Sequence, residues 1–113
     1  MKITEDNRLN SDRAYDALVK AGEDWADKDA AATLLEETRK SVLAKIKNES
    51  GEKSDAAKET IALCAGEYLA HVESMVEARR VANKARVRYD SAKTLAELRR
   101  SEEATRRAEA NIR

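Results

Sequence analysis

The feature that most constrains the fold is a seven-residue rhythm between Ser54 and Arg113. One row has residues seven positions apart, namely Ile61, Tyr68, Met75, Ala82, Tyr89 and Ala96. A second row follows three positions later, namely Cys64, His71, Ala78, Ala85 and Ala92. Two rows with this spacing form the seam along which helices pack in coiled coils. Because the stretch has no proline and one glycine, Gly66, it predicts a long helix over residues 54–110.

The length of this helix predicts a partner for it. A helix of about 60 residues is roughly 90 Å long, which is more than the rest of the chain is expected to cover. We therefore predict self-association through the seam. The residues predicted to make this contact are Ile61, Tyr68, Val72, Met75, Ala78, Ala82, Ala85, Tyr89 and Ala92. Their mixed character leaves the number of chains, and parallel or antiparallel pairing, open.

The composition predicts the all-α class. Charged residues make up 39% of the 113 residues, aromatics make up 4%, and proline is absent, which is typical of long helices and coiled coils. We predict a single helical domain over residues 1–113, folded as a helical hairpin with a long C-terminal helix. Its predicted parts are a loose arm (1–10), a short helix (11–21), a second helix (28–48) and the long helix (54–110).

Capping residues and glycines set these predicted boundaries. Asn10 or Ser11 is predicted to cap the first helix, Asp27 or Asp29 the second, and Ser54 or Asp55 the long one. Gly22 is a predicted stop, with a kink inside a longer helix as the alternative. The run from Asn48 to Lys53 predicts a short loop, and a short loop makes the helices beside it antiparallel neighbours.

Trp25 is the only tryptophan in the chain. Large aromatic side chains usually serve packing, so we expect Trp25 to anchor the N-terminal part of the chain on the long helix. Stacking on a ligand is the alternative interpretation.

A neutral total charge conceals a basic end. Residues 79–113 carry 11 basic and five acidic side chains, whereas residues 51–78 carry two basic and six acidic ones. Such a stretch attracts nucleic acid, an acidic protein or the acidic part of a second copy. The candidate residues for nucleic-acid or partner binding are Arg79, Arg86, Arg88, Tyr89, Lys93, Arg100 and Arg107. In this interpretation the cations follow a phosphate backbone and Tyr89 stacks on a base; the alternative is a solvated, salt-bridged helix face.

The sequence holds no pattern that predicts catalysis or a cofactor. Cys64, Glu67 and His71 share a helix side, but a structural zinc site needs four ligands and there is no second Cys or His. A thin helical bundle offers little room for a substrate pocket. We therefore expect no enzyme activity, catalytic residue, metal, cofactor or small-molecule substrate. The single cysteine and the lack of a signal-like or membrane-spanning run predict a cytoplasmic protein.

Five segments carry a resemblance to a known family: the acidic Trp-Ala segment at Trp25, Leu34–Lys40, Ala65–Tyr68, Ala85–Asp90 and Arg99–Arg107. They resemble a family of small helical phage and prophage proteins found near genes for DNA recombination and replication. The resemblance covers about residues 14–107. It implies an accessory protein in the cytoplasm of a bacterial host, without catalytic residues.

These observations lead to one main functional hypothesis and two alternatives. The main one is a non-enzymatic phage accessory protein of DNA recombination or replication that contacts DNA, or a DNA-processing protein, through its basic end. The first alternative is an inhibitor or adaptor that acts only on proteins, such as a host nuclease or defence complex. The second is a structural helical oligomer.

Overall fold

The structure is a computed structural model that describes the backbone of residues 5–112 and the side chains of residues 12–112. Helix α1 spans Glu5–Glu49, α2 spans Asp55–Cys64 and α3 spans Gly66–Ile112. No strand occurs within residues 5–112. The predicted all-α helical hairpin with a long C-terminal helix is therefore confirmed. None of the described helices combines the length and the apolar character that crossing a membrane requires.

The loop between α1 and α2 lies where the sequence predicts it. Ser50 Oγ donates a hydrogen bond to the Lys47 carbonyl at 2.8 Å, which satisfies one of the free carbonyls at the end of α1. Gly51 has a φ of 72°, a left-handed conformation that glycine adopts without a steric cost. Ser54 then caps α2, because its Oγ accepts a hydrogen bond from the Ala57 amide at 3.1 Å.

The predicted division of the N-terminal half is wrong. Helix α1 is continuous through both the 11–21 and the 28–48 segments, so the alternative of a longer helix through Gly22 is the one observed. The predicted loose arm is helical from Glu5 onward because nothing in residues 5–10 breaks a helix, and residues 1–4 lie outside the described part. The proposed caps therefore lie inside α1, namely Asn10, Ser11, Asp27 and Asp29.

The predicted long helix over 54–110 is also wrong in one respect, because it is interrupted at Ala65. That residue has φ −67° and ψ 137°, an extended conformation, and its amide donates to the Ala62 carbonyl. Ala62, three residues before the break, is fully buried, so α2 contributes this small residue to the core of the loop unit. Ile61 and Cys64 consequently lie on α2, while the later seam residues lie on α3. Helix α3 then continues to Ile112, two residues beyond the predicted end.

The chain divides into two compact units. The loop unit comprises Asp27–Asn83, and the terminal unit comprises Met1–Ala26 together with Lys84–Arg113. In the loop unit, Ile46, Ala62 and Tyr68 form a buried cluster. Four half-buried residues pack around it: Val42, Leu43, Ala65 and Val72. Each unit contains part of α1 and part of α3.

Alanine accounts for five of the seven buried apolar residues among the described side chains, namely Ala14, Ala32, Ala62, Ala82 and Ala85. A side chain this small lets helices approach closely, so the buried surface is narrow. The two larger buried side chains, Ile46 and Tyr68, both belong to the loop unit.

Candidate partner-binding surface of α3

In the loop unit, Arg79 is held by polar groups of α1. Its Nη1 lies 2.7 Å from Asp29 Oδ1, and its Nε lies 2.6 Å from Glu36 Oε1. A longer contact of 3.3 Å reaches Thr33 Oγ1. The hydrogen bonds that Arg79 donates to Glu36 and then to Asp29 favour the charged guanidinium and raise the pKa of Arg79 above its usual range. This predicted partner-binding residue thus joins α3 to α1.

Two more contacts in the loop unit show that α1 and α3 run antiparallel there. The His71 Nε2–H donates to the Leu35 carbonyl at 2.8 Å, and Lys45 Nζ lies 3.3 Å from Glu67 Oε1. His71 therefore has a packing role on α3, whereas Cys64 is exposed on α2. Among the described residues, no three His, Cys, Asp or Glu side chains are grouped so as to hold a metal ion.

In the terminal unit, Trp25 and Tyr89 form the main aromatic contact. Their ring centroids are 5.3 Å apart with the planes inclined by 33°. The Arg86 guanidinium carbon lies 5.8 Å from the Trp25 ring centroid, within the range of a cation–π contact. Trp25 therefore anchors α1 on α3, as its packing interpretation predicts. Because Tyr89 is half-buried in this contact, its ring is not displayed for stacking on a base.

Gly22 is the residue of α1 against which Tyr89 packs. A Cβ added at Gly22 would lie 3.3 Å from Tyr89 Cε2, which is closer than ordinary van der Waals contact. The glycine therefore makes room for the ring. The cost of glycine inside a helix, about 1 kcal/mol relative to alanine, is offset by the aromatic packing that it permits.

We predict that Gly22→Leu destabilises the protein by about 1–3 kcal/mol, since the added side chain would displace the Tyr89 ring. Gly66→Ala is the control, because a Cβ there has no neighbour within 4 Å, and we expect it to be neutral or slightly stabilising. Urea unfolding followed by circular dichroism measures both. Equal stability of Gly22→Leu and the native chain would show that the close approach is unimportant.

The remaining predicted cations of the terminal unit fall into two groups. In the first group, Arg88 Nη1 lies 3.7 Å from Asp24 Oδ2, so Arg88 forms an ion pair that joins α3 to α1. Lys93, Arg100 and Arg107 are exposed, and none of the three forms an ion pair within the described part of the chain. Because they are seven residues apart and a straight helix drifts about 20° per heptad, they lie within about 40° of one another on α3. They form one cationic row, which we call the basic row.

The predicted self-association residues are largely covered within each unit. In the loop unit, Tyr68 and Ala82 are buried, and Val72, Met75 and Ala78 are half-buried. Ile61, in the same unit, is exposed. In the terminal unit, Ala85 is buried, and Tyr89 and Ala92 are half-buried. The length of α1 explains this. At 45 residues it is roughly 67 Å long, against roughly 70 Å for α3, whereas the sequence predicts a 21-residue helix. Self-association through this seam stays a prediction.

The acidic residues that bind the cations of α3 were not predicted from the sequence. Asp29 and Glu36 are seven residues apart and bind Arg79 together, and Asp24 lies beside Arg88. The heptad spacing of Asp29 and Glu36 is a signal for this role, because residues seven apart lie on one helix side.

Together these observations define an all-α protein built from long helices. Comparison with protein-family models, with curated proteins and with solved structures yields no match to the chain.

Proposed function

We propose that this chain is a non-enzymatic accessory protein that contacts duplex DNA through the basic row, Lys93, Arg100 and Arg107. The observation that carries the proposal is that these three cations are exposed, unpaired within the described residues and aligned along one side of α3. Successive members are seven residues apart, roughly 10.5 Å along the helix axis, so each can meet a different phosphate.

Duplex DNA is favoured over a single strand for a structural reason. Non-specific single-strand binding combines cations with aromatic side chains on which the bases stack. The only aromatic side chain among the candidates, Tyr89, packs against Trp25 and Gly22 instead. The basic row can neutralise phosphates, but it has no stacking platform beside it.

The setting of the proposal rests on the family resemblance. Segments such as Leu34–Lys40 and Arg99–Arg107 resemble phage and prophage proteins found near recombination genes. A role in phage DNA recombination or replication, in the cytoplasm of a bacterial host, agrees with phosphate contact by the basic row.

The experiment is fluorescence anisotropy of labelled duplex and single-stranded oligonucleotides over a range of salt concentrations. Three phosphate contacts predict a slope of log K against log salt of about −2.7 for the duplex, because each contact contributes about −0.9. The variant Lys93→Gln/Arg100→Gln/Arg107→Gln should lose most of the affinity and flatten the slope.

The matched control is Arg39→Gln/Lys40→Gln/Lys53→Gln, which removes three exposed cations of the loop unit. We expect it to bind DNA nearly as well as the native chain. Absence of binding at low salt, or equal losses in the two triple variants, would refute contact through the basic row.

A protein-directed adaptor is the second candidate function, and exposed apolar side chains on α3 favour it. Val76 is 60% exposed in the loop unit, and Val87 and Leu98 are 64% and 55% exposed in the terminal unit. If native and variant chains all fail to bind DNA, this candidate replaces the first.

A further inference from the structure

A second heptad pattern runs along α3 in the terminal unit, on the face opposite the contact with α1. Val87 lies two residues from both Ala85 and Tyr89, so it points about 160° away from each at about 100° per residue. Ala85 is buried and Tyr89 packs on Trp25, whereas Val87 is exposed. The pattern, which we call the outer row, comprises Val87, Ser91, Thr94, Leu98, Ser101, Thr105, Ala108 and Ile112.

The outer row alternates steps of four and three residues without a break, the spacing of a coiled-coil seam. All eight residues are exposed, and none is charged. By contrast, 13 of the 29 residues from 84 to 112 are charged. The charged residues of this segment therefore lie outside the outer row. An exposed row without charged side chains can pack against an apolar surface.

The hydroxyl groups of both threonines in the outer row already donate hydrogen bonds within α3. Thr94 Oγ1 donates to the Asp90 carbonyl at 3.0 Å, and Thr105 Oγ1 donates to the Ser101 carbonyl at 3.0 Å. A hydroxyl with its own partner can be covered without leaving an unsatisfied donor. Val87, Asp90, Ser91 and Thr94 border a shallow, open depression on this face.

The charged residues beside the outer row indicate what charge a partner of this face would carry. The flanking positions of this heptad hold four carboxylates, Asp90, Glu97, Glu102 and Glu109, and one cation, Arg88. Arg88 forms an ion pair with Asp24 of α1. The Glu102 Oε2 atom lies 3.8 Å from Arg99 Nη1. The flanks are thus mainly acidic. A second copy packed in parallel through the same row would set Glu97 of one chain against Glu102 of the other, which is unfavourable. In antiparallel pairing, Asp90, Glu97 and Glu102 would face uncharged residues, so a second copy gives these carboxylates no cation.

From these observations we propose that the outer row docks an amphipathic helix of another protein whose apolar seam is flanked by Lys and Arg. The apolar seam packs on Val87 and Leu98, and its cations meet Asp90, Glu97 and Glu109. Charged flanking positions select partners in this way in coiled coils. The site is separate from the basic row, so it adds a protein partner to the proposed DNA contact.

The test uses a synthetic four-heptad peptide with Leu and Ala in its seam and Lys and Arg at the flanking positions. Self-repulsion of its cations keeps this peptide from pairing with itself. One control peptide carries Glu in place of the flanking cations, and another has the basic composition in scrambled order. Titration calorimetry with the full chain should show binding of the basic-flank peptide at least about tenfold tighter than either control.

Two variants of the chain locate the contact. Val87→Asn/Leu98→Asn should weaken peptide binding at least about tenfold, whereas Leu34→Asn, at a residue 61% exposed in the loop unit, should not. Asp90→Lys/Glu97→Lys should reverse the preference from the basic-flank to the acidic-flank peptide. Circular dichroism checks that each variant remains helical, which is expected because all the altered side chains are exposed.

Three outcomes would overturn the proposal. The first is no binding of the basic-flank peptide, and the second is equal binding of the scrambled peptide, which would reveal general attraction by an acidic surface. The third is self-association in sedimentation equilibrium that Val87→Asn/Leu98→Asn abolishes, since a second copy would then occupy the outer row. None of these results alters the DNA test, because the basic row is unchanged in these variants.

Discussion

Replacement of Tyr68 by alanine should lower the free energy of unfolding by about 3 kcal/mol, the largest effect that we expect from a single substitution in this chain. Tyr68 is 8% exposed and packs with Ile46 and Ala62 in the buried cluster of the loop unit. Removal of its ring would leave a cavity between α1, α2 and α3. The other members of the cluster are too few to collapse into that space.

The matched control is Tyr15→Ala, which removes the same ring from a residue that is 64% exposed. We expect a change within about 0.5 kcal/mol there, as for most surface substitutions. Urea unfolding followed by circular dichroism measures both. If Tyr68→Ala leaves too little folded protein, Tyr68→Leu retains part of the packing and should fall between the native chain and the alanine variant. Similar losses for Tyr68→Ala and Tyr15→Ala would contradict the assigned core.

Trp25→Ala should destabilise the protein by about 2–3 kcal/mol, because it removes the aromatic contact with Tyr89 and the cation–π contact with Arg86. We expect a smaller loss than at a fully enclosed aromatic residue, since Trp25 is only half-buried. Chemical unfolding again measures the effect, and Val19→Ala, at an exposed residue of the same unit, is the control.

A double-mutant cycle with Tyr89→Ala isolates the pair. The two rings should be coupled by about 0.5–1.5 kcal/mol, the range found for aromatic pairs. Additive losses would mean that the rings stabilise the terminal unit independently. The cycle also bears on function, because a strongly coupled Tyr89 is held by α1 and does not move out to stack on a base.

Local signals in the sequence predicted some features of the fold well. Ser54 precedes the first turn of α2 and caps it, and Gly51 lies in the loop with a positive φ. Such features depend on a few neighbouring residues, so a single sequence carries enough information for them. The absence of proline and the seven-residue rhythm were likewise enough to predict helices throughout.

Gly22 and Ala65 show why other boundaries could not be predicted. Glycine ends many helices, yet α1 continues through Gly22 because Tyr89, 67 positions later in the chain, packs against it. Alanine is the best helix former, yet the chain is extended at Ala65, where α2 ends with Ala62 buried beside Ile46. In both places a distant packing partner outweighs the local preference.

For the candidate binding residues too, some features could be predicted from the sequence and others could not. The charge pattern was enough to place a basic region after Arg79, because it requires only a count of residue types. Which cations remain available for a partner depends on what α1 brings beside them. Asp29, Glu36 and Asp24 engage Arg79 and Arg88, while Lys93, Arg100 and Arg107 stay exposed.

Helical character and the spacing of apolar residues are local properties, so the order of amino acids alone determined that this chain forms long helices with an apolar seam. The partner of that seam is a long-range property. Because α1 continues past Gly22 and is nearly as long as α3, residues predicted to meet a second copy, such as Tyr68 and Ala85, are buried within the chain. Tertiary packing thereby decided that the outer row, from Val87 to Ile112, is an uncharged face of α3 that stays exposed.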